Sequence, residues 1–91
     1  MADKNIERGS LVESLAGHDK GKAFVVIATE GDYAFICDGE GRKLVSPKRK
    51  KIKHLKTLYK SITLDLFEGS GGLTDGDLKR EIKRNLNKTG G

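Results

Sequence analysis

Residues 9–27 read GSLVESLAGHDKGKAFVVI, two strand-like runs joined by a glycine-bracketed turn. In the first run Leu11, Glu13 and Leu15 fall on one side of an extended chain and Val12 and Ser14 on the other, which predicts a half-buried strand. The second run, Ala23 to Ala28, is nearly all apolar with a β-branched centre and predicts a largely buried strand. Between them, Ala16-Gly17-His18-Asp19-Lys20-Gly21 sets two glycines around three polar residues, as expected where a chain reverses and needs positive φ without a Cβ clash. A turn this poor in side chains also allows a phosphate or a base to come close to the backbone.

Outward from this hairpin, Met1 to Arg8 is polar with one isoleucine and predicts a flexible lead-in over residues 1–8. Downstream, Glu30-Gly31-Asp32 predicts a compact turn, and Tyr33 to Cys37 a third strand antiparallel to the second. Asp38-Gly39-Glu40-Gly41 breaks the chain again, and Arg42 to Ser46 has enough apolar content for a short fourth strand ahead of Pro47. Pro47 then leads into Lys48-Arg49-Lys50-Lys51, expected as a solvated basic loop, and Ile52 to Leu55 reads as a short final strand. Short strands joined by tight turns in this number predict a mainly β protein. The expected form is a small, partly open five-stranded barrel of the SH3-like kind, since closing the sheet protects its edges.

The totals agree with one small domain and an appendage: 91 residues, 35% hydrophobic, one proline and no tryptophan. No run approaches a membrane span, the N-terminus lacks the apolar segment of a secretion signal, and a lone cysteine suits a reducing compartment, so a cytoplasmic location is expected. Cys37 lies in an apolar strand-like run, where a small buried cysteine is far commoner than a nucleophile. With only His18 and His54 as further soft ligands, no paired ligand spacing exists and no metal is expected. The net charge of +5 conceals a strong asymmetry. Residues 1–41 hold four basic and eight acidic side chains, residues 42–60 nine basic and none acidic, and residues 61–91 five of each. A block so dense in cations is either a solvated face or a surface for a polyanion.

Two motifs carry a resemblance to a known family. Gly9, Val12, Leu15, Gly17, Gly21 and Val25 to Ile27 occupy the places of the KOW motif of ribosomal proteins and transcription elongation factors. Ala23-Phe24 stands where many members carry a further glycine. Farther on, Gly41-Arg42-Lys43 through Lys51-Ile52-Lys53-His54-Leu55 resembles the end of the KOW barrel in the archaeal and eukaryotic large-subunit ribosomal protein of the fourteen-e type. The resemblance covers roughly residues 9–57. In that family the His-Leu pair is followed by a residue and a proline, whereas Lys56-Thr57 follows here. The resemblance implies a KOW-type SH3-like barrel that binds RNA, ribosomal RNA foremost, with ribosomal proteins as possible neighbours. RNA rather than DNA rests on the resemblance alone.

Residues 58–91 form a C-terminal extension. From Leu58 to Glu68, Ile62, Leu64 and Leu66 alternate as a strand would, while Leu58, Ile62 and Leu66 keep helical spacing; a short helix is the reading adopted, ended by Gly69-Ser70-Gly71-Gly72. A clearer signal follows. Thr74 with Asp77 three residues on makes a capping box, and Leu73 with Leu78 a hydrophobic staple, so a helix is expected from Asp75 to about Asn87. Its stripe of Leu78, Ile82 and Leu86 suits docking on the barrel, and acids lead while bases trail, as the helix dipole favours.

No pair of nucleophile and base, no carboxylate pair in a pocket and no phosphate-cradling loop can be assembled, so no enzyme, catalytic residue or cofactor is expected. Asp38 and Glu40 read as exposed loop acids. RNA binding draws instead on the cations. Lys48, Arg49, Lys50 and Lys51 would attract phosphates through counterion release, with Arg42, Lys43, Lys53 and Lys56 widening the patch. Arg49 can also stack on a base or grip a phosphate with two donors. In the first turn Gly17 and Gly21 allow close backbone approach, and His18, Lys20 and Lys22 are candidates for contacts to an RNA loop or groove edge, as the KOW resemblance implies, although His18 could equally be an idle exposed side chain. His54 reads as packing, and Tyr33 and Phe35 either as core or as stacking platforms. A monomer is expected when free. The alternative is an SH3-like adaptor whose basic loop docks an acidic protein partner.

Overall fold

The computed structural model describes residues 6–59 and 74–90. Five strands form one antiparallel sheet in the order β4-β3-β2-β1-β5: β1 (Leu11–Ser14), β2 (Ala23–Glu30), β3 (Tyr33–Cys37), β4 (Lys48–Lys51) and β5 (Leu55–Tyr59). Four strands run as a meander and the fifth returns to pair with the first. The ladder leaves β4 and β5 as its two unpaired edges, so the expected partly open barrel is corrected to an open five-stranded sheet. A single 3-10 turn, Ile52–His54, carries the chain from one edge to the other.

The hairpin at the head of the chain forms as expected, with Leu11 opposite Val25 and Glu13 opposite Ala23. Both of its arms are nevertheless more buried than alternation alone implies. Leu11, Val12 and Ser14 are all inaccessible, because β1 is an inner strand covered on both faces, while Leu15 lies past its end and is 43% exposed. On one face Ile6, Val12, Phe24, Val26, Ala34, Ile36 and Leu55 make a core cluster. On the other, Leu11, Val25 and Cys37 pack against Leu78 and Ile82 of α1 (Asp75–Gly90). Two-sided covering explains the unbroken apolar run of β2, and each fully buried aliphatic side chain contributes on the order of 2 kcal/mol. Ile6, expected within a flexible lead-in, is buried, and the Gly9 N–H donates to the Val26 carbonyl.

Three boundaries differ from the expected ones. Arg42–Ser46 is turn rather than strand, with Val45 91% exposed, because the Asp38 carboxylate gathers the Glu40 and Arg42 amides and bends the chain. The fourth strand is the cationic run itself, paired residue for residue with β3. Ile52–His54 is a 3-10 turn, so the last strand starts at Leu55 and takes in Leu58, which was expected in a helix. The rest of that expected helix, the glycine break after it and the staple residue Leu73 lie outside the described residues.

The C-terminal helix starts where the capping box places it. The Asp77 N–H donates to Thr74 Oγ1 at 3.1 Å and the Thr74 N–H to Asp77 Oδ2 at 3.2 Å. Its first residue also anchors it to the 42–46 turn between β3 and β4, since Asp75 Oδ1 accepts the Leu44 N–H at 2.8 Å. Gly39 (φ +79°) lies directly beneath, where a Cβ would collide with the Asp75 carbonyl.

Candidate functional site

The glycine turn and the cationic strand, expected to cooperate, are physically joined, and the joint is Asp19. Gly17 and Gly21 both adopt φ +86°, and the turn is closed by Gly21 N–H to the Ser14 carbonyl (2.8 Å) and Lys22 N–H to the Asp19 carbonyl (2.9 Å). This closure directs the Asp19 side chain inward, where the residue is only 8% exposed. Its Oδ1 accepts the Ser14 hydroxyl and the Lys50 ammonium, each at 2.7 Å, and its Oδ2 faces the Lys48 ammonium at 2.8 Å. Lys50 also donates to the Ala16 carbonyl at 2.6 Å, so its charge is held by the turn from two directions.

Burial alone would push the Asp19 carboxyl up. The hydrogen bonds from Lys48, Lys50 and Ser14, with the Lys50 charge, outweigh it and hold the group well below the usual carboxylate range. Asp19 is therefore ionised at neutral pH and clamps the turn to β4. Within this clamp Lys50 is not the solvated cation expected of a loop: it is buried, and Lys48 is half-buried. The reason is strand parity. Lys50 stands opposite Ala34 and Lys48 opposite Ile36, on the face of the first core cluster, so each stem runs over apolar residues and each head reaches Asp19 at the rim.

The other expected residues divide among a cleft, the opposite face of β4 and three separate turns. A cleft of about 210 Å³ beside the clamp is lined by His18, Asp19, Lys22, Phe24, Asp38, Gly41, Arg42 and Lys48. His18, Lys22 and Arg42 are exposed along it, and nothing lies within 4 Å of where a Cβ on Gly21 would stand, so the backbone there is open to approach. Arg49 and Lys51 are exposed on the opposite face of β4, with the Arg49 guanidinium 4.4 Å above the Tyr33 ring. Lys20 is exposed in the first turn, Lys43 in the 42–46 turn and Lys53 in the 3-10 turn. The twelve expected positions thus do not form a single patch.

Sequence reasoning passes over Asp19. Its one signal is an acid inside a glycine turn, in a chain that carries a single dense cationic run; nothing local says the two meet. Asp38, expected as an idle loop acid, shapes the cleft by capping the Glu40 and Arg42 amides. Cys37 is buried with its sulfur 3.5 Å from the Lys43 carbonyl. Burial, with Asp75 and Asp38 near by, pushes its thiol up to about 11, the opposite of an activated nucleophile. Among the described residues there is no cluster of three or more His, Cys, Asp or Glu side chains that could hold a metal ion, and no helix long and apolar enough to cross a membrane. Comparison of the chain with protein-family models and with curated proteins finds no match in either.

Proposed function

We propose that this protein is a small, non-catalytic RNA-binding module of the SH3-like KOW type, acting in the cytoplasm on ribosomal or other structured RNA. The observation that carries the proposal is the clamp. A buried carboxylate shared by Lys48 and Lys50 fixes a side-chain-poor turn beside a cleft along which His18, Lys22 and Arg42 stand exposed. Phosphates would enter the cleft, drawn by the cations in a sequence-independent way, and the open side of Gly21 would let the RNA backbone approach the turn. A four-strand meander whose fifth strand returns to the first supports the SH3-like assignment, as an opened form of that barrel.

The test is a filter-binding titration with ribosomal RNA over a salt series. If about four phosphates are neutralised, log K falls with log salt at a slope near −3 to −4. Removing Lys48 to Lys51 together is the wrong variant, because it dismantles the clamp. Lys20→Ala, Lys22→Ala and Arg42→Ala instead remove exposed cations, and each should lower the slope by nearly one without unfolding the chain. Unchanged affinity and slope in the triple variant would refute the proposal.

A second reading, an adaptor for an acidic protein segment, is favoured by one feature. A groove of about 460 Å³ beside α1 is lined by the apolar Ala23, Ile82 and Leu86, with Lys22, Lys79 and Lys83 outnumbering the acids Asp38 and Glu40 among its charged residues. Loss of partner binding on Leu86→Asp, with RNA affinity absent from the start, would put this reading first.

A further inference from the structure

We propose that the face of β3 and β4 turned away from the Asp19 clamp is a stacking platform for unpaired bases of single-stranded RNA. The inference rests on the RNA-binding reading and adds to it the kind of RNA and a second contact surface. Tyr33, Phe35 and Cys37 share one face of β3. Helix α1 covers the Cys37 end through Leu78 and Ile82, whereas Tyr33 and Phe35 remain partly exposed. Two half-open aromatic rings at alternate positions are unusual in a domain with so few aromatics, and here their ladder partners on β4 are cations. Phe35 is opposite Arg49 and Tyr33 is opposite Lys51.

The β2 side keeps the surface shallow. A register shift between Val26 and Ala28 leaves Ile27 as the extra residue, so the small, exposed Ala28 rather than Ile27 stands opposite Phe35. Ile27 packs instead toward the cluster beneath α1. A flat base can therefore reach the Phe35 ring over a methyl group.

Arg49 supplies a second stacking surface. Its guanidinium is held 4.4 Å above the Tyr33 centroid in an exposed residue, where a base could stack on it in turn. Glu30, opposite Tyr33, and Asp32 beside it keep phosphates from the β2 end. The sugar-phosphate chain consequently runs along β4, where Arg49 and Lys51 are exposed, with its bases turned over Phe35 and the guanidinium. Such a surface suits an unstacked strand, because the bases of a duplex have no free face to offer.

The test uses a single-stranded RNA of about eight nucleotides carrying one 2-aminopurine, alongside its duplex. Binding of the single strand should change the 2-aminopurine fluorescence as the base stacks. Phe35→Leu keeps an apolar side chain and Arg49→Lys keeps the charge, yet each should weaken single-strand binding by about five-fold or more and leave the salt slope and duplex affinity unchanged. Thermal unfolding confirms that both variants fold. Wild-type affinity for the single strand in both variants, or binding of wild-type protein without a fluorescence change, would overturn the platform while leaving the cleft reading intact. Failure of wild-type protein to bind either RNA form would remove both.

Discussion

The two faces of β4 present the same chemistry in sequence and opposite chemistry in space. Lys48 and Lys50 turn toward the first core cluster and spend their charge on Asp19; Arg49 and Lys51 turn to the opposite face, Arg49 over the Tyr33 ring. Four consecutive cations have therefore become two structural and two available ones. What separates them is only the period of two of a strand. A charge run read as a loop counts every cation as equivalent, whereas a charge run in a strand must be counted by parity.

The comparison is broken most severely by removing the shared partner. Asp19→Ala leaves Lys50 buried without its carboxylate and should cost about 3 kcal/mol, read from urea unfolding. The loss should carry a pH signature. Because the Asp19 carboxyl is held below its ordinary value of about 3.9, its stabilisation is complete above that pH and is lost as pH falls through the lower folded value. Asp19→Asn should accordingly flatten the acid limb of the wild-type stability curve relative to its neutral plateau. An unaltered acid limb would show that the pair contributes nothing.

Lys50→Met sharpens the comparison with a smaller effect. It keeps the apolar stem, removes the donor to the Ala16 carbonyl and leaves Asp19 with Lys48 and Ser14, so a loss of about 1 to 1.5 kcal/mol is expected. Arg49→Ala on the outer face should lose only its contact with Tyr33, about 0.5 kcal/mol in thermal unfolding. Equal losses in the two variants would mean that parity does not govern β4.

Much of this architecture is legible in the chain, and the part that is not has a common cause. Hydrophobic alternation and glycine turns place β1, β2 and β3, positive φ is met at Gly17 and Gly21, and the capping residues Thr74 and Asp77 start α1 where expected. These signals are local. The identity of β4 is not, because Lys48 to Lys51 has no apolar alternation; its strand conformation comes from the ladder to β3 and from an acid 31 residues away from Lys50. Leu58 errs for the same reason, its place in β5 being set by the pairing of its neighbours Thr57 and Tyr59 with Val12 and Leu11 of β1. The cleft was half legible: its cations are conspicuous, but their division into buried and exposed members depends on those same distant pairings.

The smallest expected effect tests the register from the opposite direction. Local composition favours Arg42–Ser46 as the fourth strand, and in that arrangement Val45 would be a core-facing residue beside β3. With the ladder at Lys48–Lys51 instead, Val45 stands 91% exposed in a turn. Val45→Asp then changes a side chain that touches almost nothing, and its cost should stay within about 0.5 kcal/mol, as for other surface substitutions. A buried valine replaced by a carboxylate would cost several times more, since an unpaired charge in a core lacks both solvent and partner. A large loss at Val45 would thus move the strand upstream, return Lys48 to Lys51 to a loop and take away the parity that distinguishes Lys50 from Arg49.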